Sequence, residues 1–170
     1  LVITTEYFDR FIIDNGLQYV INSDISDSEI LSEFVASTLP ADLTEALRIF
    51  IRNVRTPLAV RSSSKLEDSY YQPFAGVYST YMVPHFPDRK RTIRLLADAV
   101  KGVYASVFFA DSKAYMVATR NVIDQEKMAV IIQEAVGQQH ADHFYPSFAG
   151  VGRSLNYYPV GDELPADGVA

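Results

Sequence analysis

The 170-residue chain contains no cysteine. That excludes zinc ribbons, thiolate catalysis, iron–sulfur ligation and a disulfide framework, and it leaves the redox compartment open. No apolar run approaches the roughly 18 residues that a membrane helix requires, and the opening Leu-Val-Ile-Thr-Thr shows neither the charged nor the apolar region of a secretory signal. Cytoplasm is the expected location, with no membrane partner. An excess of positive charge is also missing: 15 Lys and Arg face 21 Asp and Glu, a net charge of −6. A general nucleic-acid binder needs a basic face to neutralise phosphates, so no nucleic-acid partner is expected. The one basic cluster, Arg89, Lys90, Arg91 and Arg94, has no interleaved aromatics and reads as a solvated helix face. Neither a Walker G-x-x-x-x-G-K-S/T nor a G-x-G-x-x-G occurs, and there is no internal repeat or low-complexity linker.

What is present suits one folded domain. Hydrophobic residues make up 48% and charged residues 21%, an ordinary globular mix that buries roughly 70% of its unfolded surface at this length. A short strand at Leu1–Ile3 precedes a helix capped at Thr4 or Thr5, with Phe8, Phe11 and Ile12 at helical spacing and Asn15-Gly16 as its stop. Leu17–Ile21 reads as either class. Asp24, Ser26 and Asp27 offer caps for a second helix carrying Ile30, Leu31, Phe34 and Val35. A third carries Leu43, Leu47, Phe50, Ile51 and Val54. Pro57–Val60 predicts a strand, Arg61–Gln72 a loop, and Val77–Val83 a second strand. Long helical spacing runs over 88–109, followed by a shorter helix over 112–119. Met128–Ile132 predicts a buried strand, and Tyr145–Asn156 a further strand or hairpin. The order predicts an α+β fold with antiparallel or mixed strands, α+β parts at about 1–86 and 125–170, and a helical insertion at about 87–124.

The informative stretch is AVRSSSKLEDSYYQPFAGVYST, from Ala59 to Thr80. Arg61 leaves a strand, so its guanidinium would be held in place and able to make bidentate bonds to phosphate oxygens. Ser62, Ser63 and Ser64 add hydroxyls beside it. Ala75-Gly76 permits close backbone approach to a ligand, with Ser79 and Thr80 following. The plainer alternative pairs Arg61 with Glu67 or Asp68 and leaves the serines and Gly76 to shape a surface turn. Glu67-Asp68 reads as a solvated acid pair balancing Arg61 rather than as a magnesium or acid–base pair. His140-x-x-His143 has no marked third ligand, so no metal residues are assigned.

This stretch resembles the nucleotide-binding segment of the phosphoenolpyruvate synthase and pyruvate phosphate dikinase family, with its AVRSS, acidic ED step, SFAG and Thr. LVITTEYFDRFIIDNGL is similar to the family's GFVITTEAF…F…NGL opening, and KMAVIIQEAVG to its MAVVVQEMV strand. YPSFAGVGRSLN sits where the family has SGVMFTRNP. The resemblance implies a fragment of one ATP-grasp domain spanning 1–170. In such a fold two subdomains clamp ATP, which phosphorylates a histidine on a separate swivelling domain, and pyruvate then receives the phosphoryl group. It implies Arg61 and Ser62 at the phosphates, Ala75, Gly76 and Thr80 in the covering loop, and Gln133, Glu134, Ala135 and Val136 as the linker meeting adenine. The parent would be a phosphotransferase with paired acceptors: pyruvate, and water or phosphate.

The chain departs from the family in having SSS-K-L for SSA-T-A and PFAG for SFAG. The family's GGK segment is expected upstream of Leu1, and its magnesium-binding acid and following Gln downstream of Ala170. None of the three histidines stands in the family's Thr-x-His context. The opening LVITT and closing ELPADGVA each read as part of a strand, so a piece of a longer chain is expected, inactive alone. The alternatives are a non-catalytic interaction module of ATP-grasp shape and a dikinase-like enzyme with another acceptor.

Overall fold

The computed structural model describes residues 1–67, 76–118, 126–150, 152, 154–156 and 159–168. They fall into two compact units, Leu1–Ala135 and Val136–Ala170. The first unit holds strands β1 (Val2–Ile3), β2 (Leu58–Ser64), β3 (Tyr81–Val83) and β4 (Met128–Glu134), and helices α1 (Thr5–Asp14), α2 (Asp27–Ala36), α3 (Ala41–Ile51), α4 (Arg89–Ser106) and α5 (Ala110–Ala118).

Local signals explain the helices. Ser26 and Glu29 form a capping box at the start of α2: the serine hydroxyl accepts the Glu29 N–H, and the Glu29 carboxylate accepts the Ser26 N–H at 2.8 Å. Thr4 occupies the N-cap of α1 without a side-chain bond, and Gly16, at φ 65°, turns the chain into a 3₁₀ segment, Leu17–Asn22. The end of α2 is closed from outside. Lys101, 8% exposed on α4, donates to the carbonyls of Val35 and Ser37 at 2.6 and 3.4 Å and pairs with Asp98 at 3.1 Å.

The sheet runs β1-β4-β2-β3 with every neighbour antiparallel. Alternation sorts its side chains onto two faces. Ile3, Leu58, Val60, Val83, Met128, Val130 and Ile132 are buried on the inner face, against which α1 and α4 pack, with α2 and α3 lying on α4. The expected helical insertion at 87–124 thus contributes α4, which packs directly on β2, β3 and β4. An aromatic cluster fills the helical layer: Phe8 meets Tyr104 edge-on at 5.2 Å, Phe11 lies 5.7 Å from Phe34 and 5.5 Å from Tyr104, and Phe34 lies 5.7 Å from Phe108. Each such pair adds about 0.5–1.5 kcal/mol beyond the apolar area it buries.

Three strand expectations need correction. β2 does not stop at Val60 but runs through Arg61-Ser62-Ser63 to Ser64, because β4 offers ladder partners along its whole length. β3 covers only Tyr81–Val83 of the expected Val77–Val83. In the second unit the hairpin is β5 (Gln138–His140) with β6 (His143–Tyr145), earlier than the expected Tyr145–Asn156. Ala141, at φ 49°, makes the tight turn, and a Cβ at Gly137 would lie 2.5 Å from the Tyr145 carbonyl. In the closing segment Pro165–Asp167 form a 3₁₀ turn, and Val169 and Ala170 lie outside the described residues.

Two outcomes follow from this packing. Tyr104 is wholly buried, and its hydroxyl has no partner among the described residues. An unmet buried hydroxyl costs about 1–3 kcal/mol, so Tyr104→Phe should hold or raise the melting temperature, whereas Phe11→Ala should lose about 3–5 kcal/mol in denaturant titrations. On the surface, Arg10 grips both oxygens of Asp42 at 2.8 and 3.0 Å and Tyr7 donates at 3.1 Å. The Arg10 hydrogen bonds, foremost, hold the Asp42 carboxyl down at about 2. A folded value below the unfolded one means this contribution is complete above about pH 4 and lost as pH falls through about 2. NMR titration should place the Asp42 midpoint there, and Arg10→Ala should return it to the ordinary carboxylate range.

Candidate functional site

The inner face of the sheet is covered by helices, but its outer face is open. Val2 is 63% and Met82 59% exposed there, with Ala59 and Ile131 half-buried between them. Arg61 is on this face, opposite Ile131 in the ladder. Its Nη1 donates to Gln133 Oε1 at 3.4 Å, a long bond to a neutral group that, among the described residues, leaves most of the guanidinium fork unengaged. Gln133, opposite Ala59, shares the face by parity.

The β2–β3 ladder ends at Val60↔Tyr81, and Thr80 immediately precedes β3, outside that ladder. Arg61 and Thr80 are both exposed. Gly76, at φ 78°, is exposed with no atom within 4 Å of where a Cβ would stand. A side chain there would meet backbone strain rather than a neighbour.

Other expected site residues are placed differently. Ser62 alternates to the inner side, where its hydroxyl donates to Glu67 Oε1 at 2.8 Å. Glu67 Oε2 accepts the Ser64 N–H at 3.0 Å, so this carboxylate is engaged from the inner side of the strand while Arg61 reaches Gln133. Glu134 accepts a bond from the Thr56 hydroxyl at 2.9 Å, and the Ala135 N–H donates to the Pro57 carbonyl at 2.8 Å. The backbone at the start of the expected linker is therefore already held by the sheet. Val136, the first residue of the second unit, is 86% exposed. Ala75, Asp68 and the tyrosine pairs Tyr70-Tyr71 and Tyr157-Tyr158 lie outside the described residues.

The histidine pair of the second unit is a cross-strand pair at the end of a hairpin, His140↔His143, with His143 stacked on Tyr145 at 5.6 Å. Among the described residues no three His, Asp or Glu side chains converge to hold a metal. Nor, among them, is any helix long and apolar enough to cross a membrane. Arg89, Lys90, Arg91 and Arg94 are exposed on the first turns of α4, with Arg91 over the Phe86 ring at 3.8 Å. The cleft nearby, about 210 Å³ and lined by Arg55, His85, Phe86 and Arg89, contains none of the open-face residues.

Sequence reasoning passed over Tyr78 and Glu126. Tyr78 is 6% and Glu126 8% exposed, and the Tyr78 hydroxyl donates to Glu126 Oε1 at 3.2 Å. One signal was available: in VYSTYMV an inward tyrosine has a phenol that must find a polar partner.

An arginine fork largely unengaged among the described residues, on an open sheet face, suits an anionic ligand. Comparison with known proteins agrees. A relative from Bacillus subtilis, named an uncharacterized phosphotransferase YvkC, is 30% identical over 138 residues, 81% of this chain and 16% of its own length. A probable phosphoenolpyruvate synthase from Methanothermobacter thermautotrophicus is 28% identical over 162 residues, covering 82% of this chain and 22% of that protein. The chain thus spans about a fifth of the length of these curated relatives. Residues 1–169 match the family described as pyruvate phosphate dikinase, AMP/ATP-binding domain. The chain belongs to this AMP/ATP-binding domain family.

Proposed function

We propose that this chain is the ATP-binding portion of a phosphotransferase of the phosphoenolpyruvate synthase and pyruvate phosphate dikinase type, built as part of one ATP-grasp domain. The observation that supports the reading is the open face of the sheet, where Arg61 meets Gln133, within a chain of the AMP/ATP-binding family. ATP would lie along this face. Arg61 would bind phosphate oxygens, Thr80 and the Gly76 turn would sit over them, and the Gln133–Val136 stretch would reach toward adenine.

Transfer at such a site depends on positioning and electrostatic stabilisation rather than on a protein nucleophile. The chain's own contribution is to orient the phosphates and match their charge. The phosphoryl group would pass to a histidine on a separate swivelling domain of the parent chain and then to pyruvate, with water or phosphate as the second acceptor. Magnesium would be held by residues outside these 170. Ser62, bonded to Glu67, supports the Arg61 strand from behind. The parent would act in the cytoplasm.

The test uses the full-length parent. A charge-assisted bond is worth about 1.5–3 kcal/mol, so Arg61→Ala should weaken ATP binding by calorimetry roughly tenfold to a hundredfold and slow histidine phosphorylation. Arg61→Lys should recover only part of this, because an ammonium cannot grip two oxygens in one plane. Unchanged affinity and rate would remove Arg61 from the site. The isolated 170-residue chain should show weak or no ATP binding and no turnover.

A further inference from the structure

The inner side of the same strand end carries a buried polar cluster that the phosphate contacts do not use. Its centre is the hydrogen bond from Tyr78 to Glu126. Burial first, and then the charge of Glu126, push the Tyr78 phenol above its ordinary range, so it remains a donor at neutral pH. Beside it, the Ser64 N–H donates to Glu67, which also accepts from Ser62. One residue on, the Ser79 N–H donates to Ser106 Oγ at 3.2 Å, and that hydroxyl donates to the Val103 carbonyl at 2.8 Å inside α4.

The segment Gly76–Thr80 is therefore fixed by side-chain contacts. Had the β2–β3 ladder continued in register, Tyr78 would have stood opposite Ser63 and Ser79 opposite Ser62. The ladder ends at Tyr81 instead. Tyr78 inserts inward to reach Glu126, while Gly76 and Thr80 on either side of it face solvent.

We propose that Tyr78 is a positioning residue for the phosphate end of the nucleotide site: its bond to Glu126 holds Gly76–Thr80 so that Thr80 comes down beside Arg61. This rests on the ATP-binding reading and adds to it a residue that touches no ligand. Removing the hydroxyl should loosen the grip on the β- and γ-phosphates and leave the rest of the nucleotide site intact.

The experiment compares the full-length parent with its Tyr78→Phe and Glu126→Gln variants, measuring ATP and AMP binding by calorimetry, KM and kcat for histidine phosphorylation, and melting temperature. Tyr78→Phe should weaken ATP binding about fivefold to tenfold and lower kcat, with AMP binding unchanged. Glu126→Gln keeps an acceptor for the phenol and should restore most of the ATP affinity that Tyr78→Phe lacks. Unchanged ATP binding and kcat in Tyr78→Phe would overturn the proposal. So would equal weakening of ATP and AMP, since the hydroxyl would then serve the fold alone. Should Tyr78→Phe fail to fold, Ser106→Ala, which frees the Ser79 N–H, makes the same ATP-against-AMP contrast. A wild-type parent that binds no ATP sinks the ATP reading itself. A parent that binds ATP and responds to Arg61→Ala but not to Tyr78→Phe sinks only this one.

Discussion

Seven consecutive residue pairs between β2 and β4, from Leu58↔Glu134 to Ser64↔Met128, determine where the rest of the first unit falls. Because the side-chain period of a strand is two, this one register assigns Leu58, Val60, Met128, Val130 and Ile132 to the helices and Arg61, Ile131 and Gln133 to the open face. A slip of one residue would drive the arginine into the helical layer and turn the valines to solvent. Burying an unpaired guanidinium there would cost several kcal/mol. The apolar half of β2 thus fixes the chemistry of its polar half: the same pairing that builds the core aims Arg61 outward.

The register also separates the charges. Glu67 and Glu126 are engaged on the inner side by hydroxyls and an amide N–H from Ser62, Ser64 and Tyr78, while Arg61 meets a neutral amide on the other side. An arginine paired with a carboxylate would have to break that pair before binding phosphate. A 3.4 Å contact to Gln133 orients the side chain without offering a rival anion. Ser62 and Ser64, facing inward on alternate positions, serve this separation by engaging Glu67 behind the arginine.

The helices were legible in the sequence because each carries its own period and its own stops: Phe8, Phe11 and Ile12 before Asn15-Gly16, or Ser26 and Glu29 ahead of Ile30 and Phe34. The strands were less so, since their limits depend on partners far along the chain. Arg61-Ser62-Ser63-Ser64 has the composition of a loop and is a strand only because Met128–Ile131 lies opposite. Val77-Tyr78-Ser79-Thr80 has the composition of a strand, yet it lies outside the ladder and is held by Glu126 and Ser106, 48 and 27 residues away. In both places tertiary contact overrides local preference. The same effect limited the site: residue types pointed to Arg61, Gly76 and Thr80, but only the extended β2 shows that Ser62 faces away from them.

The contrast between β2 and Gly76–Thr80 bears on how such a site could work. β2 has ladder partners on both sides at Leu58–Val60 and on the β4 side through Arg61–Ser64, so it shifts only at the expense of many bonds together. Among the described contacts, Gly76–Thr80 is held by the Tyr78 hydroxyl, bonded to Glu126, and by the Ser79 N–H, bonded to Ser106 of α4. Those bonds, about 0.5–1.5 kcal/mol for the amide and about 1.5–3 for the one to a carboxylate, are comparable to what one phosphate contact supplies. In the proposed site Arg61, on its ladder, would be the fixed half of a phosphate grip, and Thr80, tethered through its neighbours, would be the half whose position binding energy is large enough to adjust.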